Sequence, residues 1–476
     1  MILALAVAAM AFGIRVLVAE FQPVIQPDGV VYVTVAKQFQ ATGSPFDPLF
    51  HPLYPICIAL AQPLIGDWEM AGRLVSAAFG ALLILPAFAL ARSIVGRQAA
   101  LLSAVFIAVH PRLVQNSASV LCEAIYTFVL VSGVLAARRG LVSGPRALIP
   151  FAGLCFGLAY LVRPEGALYL VGLVVIVVFM LVTGRERAGA VLPWLGAAVL
   201  VFVVVVAPYV WYLAEVWGHF TLSGKIDHNL PLSAGVAAAP SPLPMRVLEN
   251  LLLFQKYAVP DLLPWVLLLL VLPGVLARGR MTGWLGRDAV LLAAALPPFA
   301  SLAFHVEPRI FLPILPFILP FAAVGMLWAA VTLTDARRGW RWSLAMALVA
   351  ALVLVPWTFQ PVLRPDAGAA LYRQAARWVA ETQPRDAVLL DRKPLVAFYS
   401  ERRWVPLPRI GPEELLAAAR RAGARLVVLD SREFFFDRPG LIPLLWGPPP
   451  PGLDVLRDFD AAPADRLRIL VVNDRG

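Results

Sequence analysis

The chain has 476 residues and a mean hydropathy of +0.78; 60% of its residues are hydrophobic and only 15% are charged. A soluble domain of this length cannot hide so much apolar surface, so the composition indicates a polytopic membrane protein. The formal charge of +10 invites a polyanion as partner, but the arginines stand in short clusters between long apolar runs: Arg92 and Arg97; Arg138, Arg139 and Arg146; Arg185 and Arg187; Arg278, Arg280 and Arg287; Arg337, Arg338 and Arg341. That is the spacing of cytoplasmic loops, not of a phosphate-binding stripe, and it excludes nucleic acid.

A spanning helix needs about 20 mostly apolar residues, because hydrocarbon offers no partner to free backbone groups. About eleven such segments are predicted, at 1–20, 69–91, 99–116, 119–137, 147–162, 166–183, 190–213, 262–277, 288–304, 310–333 and 343–358. The first lacks a basic n-region and an A-x-A cleavage site and carries Arg15, so it reads as a retained helix rather than a signal peptide. With the N-terminus inside and strict alternation, every arginine cluster falls on the cytoplasmic side. The same parity places Asp28, Glu123, Glu165, Lys225, Arg309 and all five histidines (His51, His110, His219, His228, His305) outside or at outer helix ends. A site at the outer membrane face is the expectation.

Beyond residue 360 the apolar runs shorten and the charges mix. Residues 375–381 read as an amphipathic helix, 387–391 and 426–430 as buried strands, 413–422 as a second helix, and Pro448 to Pro451 as a stiff turn. The alternation predicts a small extracytoplasmic α/β domain at 361–476 after a transmembrane module at 1–360. Cys57, Cys122 and Cys155 stand singly in apolar surroundings and read as free thiols.

A series of short motifs runs along the membrane module. It comprises Pro27-Asp28-Gly29-Val30-Val31-Tyr32 with Ala36-Lys37-Gln38-Phe39, His51-Pro52-Leu53-Tyr54-Pro55, Ala71-Gly72-Arg73-Leu74-Val75-Ser76-Ala77, His110-Pro111, and Ser117-Ala118-Ser119 with Glu123. Tyr160-Leu161-Val162-Arg163-Pro164-Glu165-Gly166, Ser223-Gly224-Lys225 and Pro308-Arg309-Ile310-Phe311-Leu312-Pro313 complete it. In this order, over roughly residues 1–330, the chain resembles bacterial GT-C glycosyltransferases of the protein-mannosyltransferase-like family, the group that includes the aminoarabinose lipid A transferases. The resemblance implies a mainly α GT-C membrane fold in the bacterial inner membrane, a polyprenyl-phosphate-linked sugar as donor, and transfer on the extracytoplasmic side. The acceptor, whether lipid, polysaccharide or protein, is not named by it.

The residues themselves fit that chemistry. A polyprenyl phosphate is already a good leaving group, so the demands are to deprotonate the acceptor and to steady the departing phosphate charge. Asp28 is the candidate general base of an inverting transfer; otherwise it caps the helix predicted after it. The family often has two adjacent acids here, and this chain has Gly29 in the second place. Glu123 is a candidate for positioning the acceptor or a metal, or else makes an interhelical hydrogen bond. Glu165 and His51 join it as positioning candidates, and a divalent metal ion is left open. Arg163, Lys225 and Arg309 are the candidate phosphate ligands. Against this, Arg163 can close a local turn with Glu165, and Arg309 can snorkel; Arg15 is expected to snorkel or to pair within the first helix. The remaining histidines read as hydrogen-bonded interfacial residues. Two other function classes fit the sequence less well. A lipid or sugar transporter or flippase calls for mid-membrane charges and an internal repeat, which the sequence lacks. A non-catalytic scaffold leaves the outward clustering of Asp28, Glu123, Arg163 and Lys225 without a reason.

Overall fold

The computed structural model describes all residues except 143, 185–187, 226–241, 283–288, 304–305, 334–344, 346–348, 350–351, 365, 433, 435–437, 463–464 and 474–476. Arg185, Arg187, Arg287, Arg337, Arg338, Arg341, His228 and His305 therefore lie outside the described residues. The chain divides into two units, Met1–Glu20 with Tyr32–Gln360, and Phe21–Val31 with Pro361–Gly476.

The first unit is helical. Its leading elements are α1 (Ile2–Glu20), α2 (Pro27–Thr42, begun in the second unit), α3 (Leu53–Ile65), α4 (Trp68–Leu82), α5 (Ile84–Val95), α6 (Arg97–Val109), α7 (Pro111–Ser117), α8 (Glu123–Val142), α9 (Leu148–Tyr160), α10 (Gly166–Val182) and α11 (Ala188–Trp217). Five described stretches are long and apolar enough to cross a membrane: Ile2–Glu20, Trp68–Val95, Glu123–Val142, Ala188–Trp217 and Pro308–Thr332. A sixth arises if Leu243–Leu262 and Trp265–Ala277, bent by 101° at their junction, count as one span.

Several features depart from the sequence reading; among them, the predicted span at 288–304 is split into a helix at Ala289–Ala294 and a 3₁₀ stretch at Pro297–Ala303. The predicted span at 99–116 is broken: α6 ends at Val109, His110 is extended, and Pro111 opens α7, because proline has no N–H to continue the ladder. α3 was not expected, its thirteen residues being short and carrying Pro55 and Pro63. Arg15 does not snorkel; it is 0% exposed and turns inward, where Ser117 Oγ and the carbonyls of Ala11, Ile107 and Ala108 accept its N–H groups.

The second unit is α/β. Strands β1 (Val388–Asp391), β2 (Arg403–Pro406), β3 (Leu426–Asp430), β4 (Leu453–Ala462) and β5 (Asp465–Val472) form one sheet in the order β2-β1-β3-β5-β4. β1 pairs in parallel with β2 and with β3, while β5 runs antiparallel to β3 and to β4. The parallel strands β1 and β3 are continuous apolar runs, as strands covered on both faces require. Both were expected; β2, β4 and β5 were not. The predicted helix at 375–381 lies inside a longer one, Ala367–Thr382, whose N-cap Asp366 accepts from Ala369 N. The predicted helix at 413–422 is a 3₁₀ turn followed by Leu415–Arg421. The core gathers Leu390, Leu407, Leu415, Val427, Leu429, Phe434 and Leu470. The stretch before α2 is tied down within this unit: Ile25 N donates to Tyr399 Oη (2.6 Å) and Arg373 Nε to Pro23 O (2.5 Å).

Candidate functional site

The turn 161–165 between α9 and α10 carries the centre of the site. Pro164 disfavours helical backbone at Arg163, and Gly166 N closes the turn on Arg163 O at 3.0 Å. Arg163 then reaches two carboxylates at once. Its Nε and Nη2 grip Glu165 at 3.3 and 3.1 Å, the fork-on-fork pairing that only a guanidinium makes. Its Nη1 donates to Glu123 Oε1 at 3.0 Å. The local pair and the longer reach therefore coexist. Arg309, in the 3₁₀ turn Pro308–Ile314, meets the same Glu123 Oε1 at 3.8 Å and Glu307 at 2.5 Å. It is an ion-paired residue rather than a snorkelling one.

Glu123 opens α8 and is 2% exposed. One oxygen serves both arginines, and the other, Oε2, has no hydrogen-bond partner among the described residues. Beside it, the Tyr126 hydroxyl is buried without a partner among the described residues, with the Arg163 guanidinium 5.9 Å from its ring centre. On the other side, Tyr32 of α2 donates to Cys122 Sγ at 3.0 Å. Burial raises the Glu165 carboxyl, but the Arg163 guanidinium outweighs it and holds the group down to about 2. Burial likewise works against charge on Arg163, and Glu165 and Glu123 overcome it, so its pKa stands above its ordinary value. Arg163 and Glu165 are thus an ionised pair.

His51 lies on a loop built by a local device. Asp47 Oδ1 accepts the backbone N–H groups of Leu49 and Phe50, both at 2.8 Å, an Asx turn. Tyr209 of α11 donates to Asp47 O at 3.0 Å. The His51 ring packs on Tyr160 and Tyr209 at 5.1 and 4.8 Å between centres. Burial drives its pKa down to about 3, with the cations Lys225 and Arg163 adding to the effect. It is a neutral imidazole whose Nδ1 is buried without a partner among the described residues. Gly224 fixes the next segment: a Cβ there would fall 1.8 Å from Pro48 O, so only glycine allows this backbone against the His51 loop. Lys225 follows at once, exposed, with its ammonium 4.3 Å from the Phe50 ring centre.

The structure thus brings Glu123, Arg163, Glu165 and Arg309 into direct contact and sets His51 and Lys225 on adjoining loops. Asp28 is half-buried in the first turn of α2, one residue past Pro27, near the positive end of the helix. It groups with the second unit. Of the other histidines, His110 is fully buried with its ring 2.8 Å from Leu262 O, and His219 is exposed. Among the described residues, no three His, Cys, Asp or Glu side chains gather as metal donors. Glu307, Tyr126 and Asp47 were missed in the sequence. Only Asp47, as Asp-Pro before a short loop, left a signal.

Chemically, the cluster is two guanidinium groups held close together by carboxylates, and Arg163 has two N–H donors beyond the three used here. An incoming phosphate could take them or displace a carboxylate.

Residues 47–212 match the family model for dolichyl-phosphate-mannose-protein mannosyltransferase. A search of curated proteins by sequence gives no match. Among solved structures, the chain is similar to ArnT from Cupriavidus metallidurans bound to undecaprenyl phosphate, at 15% identity and TM-score 0.64, covering 98% of this chain and 97% of that one. It is also similar to the oligosaccharyltransferase AglB from Archaeoglobus fulgidus in complex with an inhibitory peptide and a dolichol-phosphate (15%, TM-score 0.61, 93% and 72%). A third is the mycobacterial arabinofuranosyltransferase AftD (14%, TM-score 0.53, 98% and 40%). All three are GT-C glycosyltransferases, and the resemblance read from the motifs is borne out in family model and in fold.

Proposed function

We propose that this chain is an inverting membrane glycosyltransferase that moves a sugar from a polyprenyl-phosphate donor to an acceptor on the extracytoplasmic face of a bacterial inner membrane. The observation that carries the reading is the Glu123–Arg163–Arg309 cluster. It concentrates two phosphate-seeking guanidinium groups beside a carboxylate oxygen with no hydrogen-bond partner among the described residues, in a fold whose solved examples hold undecaprenyl phosphate or a dolichol-phosphate.

In this reading Arg163, Lys225 and Arg309 receive the donor phosphate, while Glu123, Glu165 and His51 position the arginines and the acceptor. Asp28 is the base. An acceptor hydroxyl attacks the anomeric carbon from the side opposite the phosphate, and its proton passes to the Asp28 carboxylate. The new C–O bond forms as the bond to phosphate oxygen breaks, and the electron pair leaves with the polyprenyl phosphate, whose charge the cations steady. A positioned base of this kind is worth about 10²–10⁴-fold. His51, buried and neutral, is suited to hydrogen bonding with a sugar or acceptor hydroxyl rather than to phosphate. The reading includes about eleven spans, a catalytic module at 1–360, and an outward domain at 361–476. The acceptor is a lipid, a polysaccharide or a protein.

The test is sugar transfer by purified protein in detergent from a panel of polyprenyl-phosphate sugars, with Asp28→Asn beside it. Asparagine keeps the size but cannot take a proton, so turnover should vanish while undecaprenyl phosphate binding persists. Near-normal turnover by Asp28→Asn would remove Asp28 as the base. The absence of transfer from every donor, with phosphate bound normally, would favour a carrier or scaffold.

A further inference from the structure

We propose that the second unit holds the general base in place: Tyr399 and Arg373 are positioning residues that clamp residues 23–25, the stretch of chain leading into Asp28. The bearing on catalysis rests on the proposed transfer reaction with Asp28 as base; the clamp itself does not.

Residues 21–26 are a turn and connecting backbone between α1 and α2. Pro23 and Pro27 lack an N–H and hold φ near about −65°, and each disfavours helical backbone at the residue before it. The composition therefore favours an extended path, whose backbone polar groups must be met from elsewhere. Ile25 is 1% exposed, so its amide cannot turn to water, and a buried N–H without an acceptor is costly. The acceptor is a side chain 374 residues on: the Tyr399 hydroxyl takes the Ile25 N–H at 2.6 Å. Two residues earlier, the Pro23 carbonyl accepts from Arg373 Nε at 2.5 Å.

The two clamp residues support each other. Arg373 belongs to the helix Ala367–Thr382 and Tyr399 to the short helix Leu395–Ser400. The Arg373 guanidinium lies 4.1 Å from the centre of the Tyr399 ring, a cation–π contact that couples the two side chains. Arg402 ties the ends of both helices together, donating through Nη1 to Ser400 O at 2.7 Å and through Nη2 to Gln383 O at 2.9 Å and Ala380 O at 3.2 Å. The helices bury Ala376, Val379, Val396 and Ala397, so the clamp rests on packed elements.

Little chain separates this clamp from the base. Only Gln26 stands between Ile25 and Pro27, the first residue of α2, and Val30 N already donates to Gln26 O at 3.1 Å. Asp28 is three residues beyond Ile25, a reach of at most about 11 Å, with φ at Pro27 preset. The grouping of residues 21–31 with the second unit agrees with this tether. A reacting group misplaced by about 1 Å can cost about 10²-fold in rate. Tyr399 and Arg373 thus bear on turnover by aiming Asp28, not by touching substrate.

The test has two readouts on the full chain purified in detergent. In hydrogen exchange, peptides covering residues 21–31 should exchange about tenfold faster in Tyr399→Phe and in Arg373→Gln than in wild type, while those covering β1 and β3 keep their rates. In kinetics, kcat should fall about tenfold in each variant, and KM for the polyprenyl-phosphate sugar should stay within about twofold, because Arg163, Lys225 and Arg309 are untouched. Asp366→Ala separates aiming from stability. It loosens the start of the helix Ala367–Thr382, where Asp366 meets Ala369 N and Arg432, and should leave kcat unchanged. Unchanged exchange over residues 21–31, faster exchange there with no loss of kcat, or an equal loss of kcat in Asp366→Ala would overturn the proposal. Should Arg373→Gln fail to fold, Arg373→Lys, which has no Nε donor, takes its place with the same outcomes. A wild type that transfers from no donor, with exchange responding as expected, would remove the base and the positioning role with it, and leave the clamp as a contact only.

Discussion

Arg163→Lys is the substitution that most sharply separates geometry from charge. Arg163 makes three charge-assisted hydrogen bonds, two to Glu165 and one to Glu123, whereas an ammonium at the end of a flexible stem cannot match the fork. Glu165 offers an independent measure of the loss. Its carboxyl is held from 4.5 down to about 2, and at about 1.4 kcal/mol per unit that is roughly 3 kcal/mol. Because the folded value is depressed, this stability is present above the unfolded value near 4.5 and fades as the pH falls toward 2. Losing the fork should return most of it. At about 2 cal/mol/K of unfolding entropy per residue, 3 kcal/mol shifts the melting temperature of a unit this large by roughly 3–5 °C. Thermal melting in detergent at pH 7 and pH 3 reads both consequences: wild type should exceed Arg163→Lys at pH 7, and the gap should narrow at pH 3. Equal melting temperatures at pH 7, or a gap unchanged with pH, would refute the argument.

His51, pushed down to about 3 by burial, stays neutral in the fold while the unfolded chain takes up a proton below about 6.5, so it weakens the fold as the pH falls from 6.5 toward 3. His51→Gln should flatten stability over that window, as measured by melting against pH, and an undiminished slope would contradict it. Asp366 caps helix Ala367–Thr382 and pairs with Arg432 at 2.8 Å on the surface. Asp366→Ala should therefore cost about 1 kcal/mol, chiefly through the cap, as denaturant unfolding would show; a loss above about 3 kcal/mol would mean the pair matters more than its exposure suggests. Cysteine labelling should place residues 366–473 outside the cytoplasm, and labelling there only from the cytoplasmic side would reverse the whole orientation.

Much of this arrangement could be read from residue order, and the rest could not for identifiable reasons. β1 and β3 announced themselves as Leu389-Leu390 and Leu426-Val427-Val428-Leu429 because strands buried on both faces need unbroken apolar runs. β4 did not, since Arg457, Asp458 and Asp460 interrupt it, and β2 has only four residues. The break at His110-Pro111 was hidden by apolar residues on both sides. In the site, Arg163-Pro164-Glu165 was visible because its pairing is local. The meeting of Glu123 with Arg163, forty residues on, and with Arg309 depends on packing among several helices. For the same reason Arg15 reads only as a residue that snorkels or pairs within its own helix: it does bond Ala11 of α1, but its other partners lie on α6 and α7, about 90–100 residues away.

The sheet of the second unit has two rims, and both are poor templates for another strand. β2 is short and ends on Pro406, which has no N–H to offer. β4 is longer, but its register slips twice, between Val455 and Arg457 and between Asp460 and Ala462, and it bears Arg457, Asp458 and Asp460. Bulges and charges of this kind discourage edge-to-edge growth. A polypeptide reaching this unit will find little main-chain welcome; whatever it recognises there must be gripped by side chains, and crowding of many copies in one membrane should not lead them to zip together through these strands.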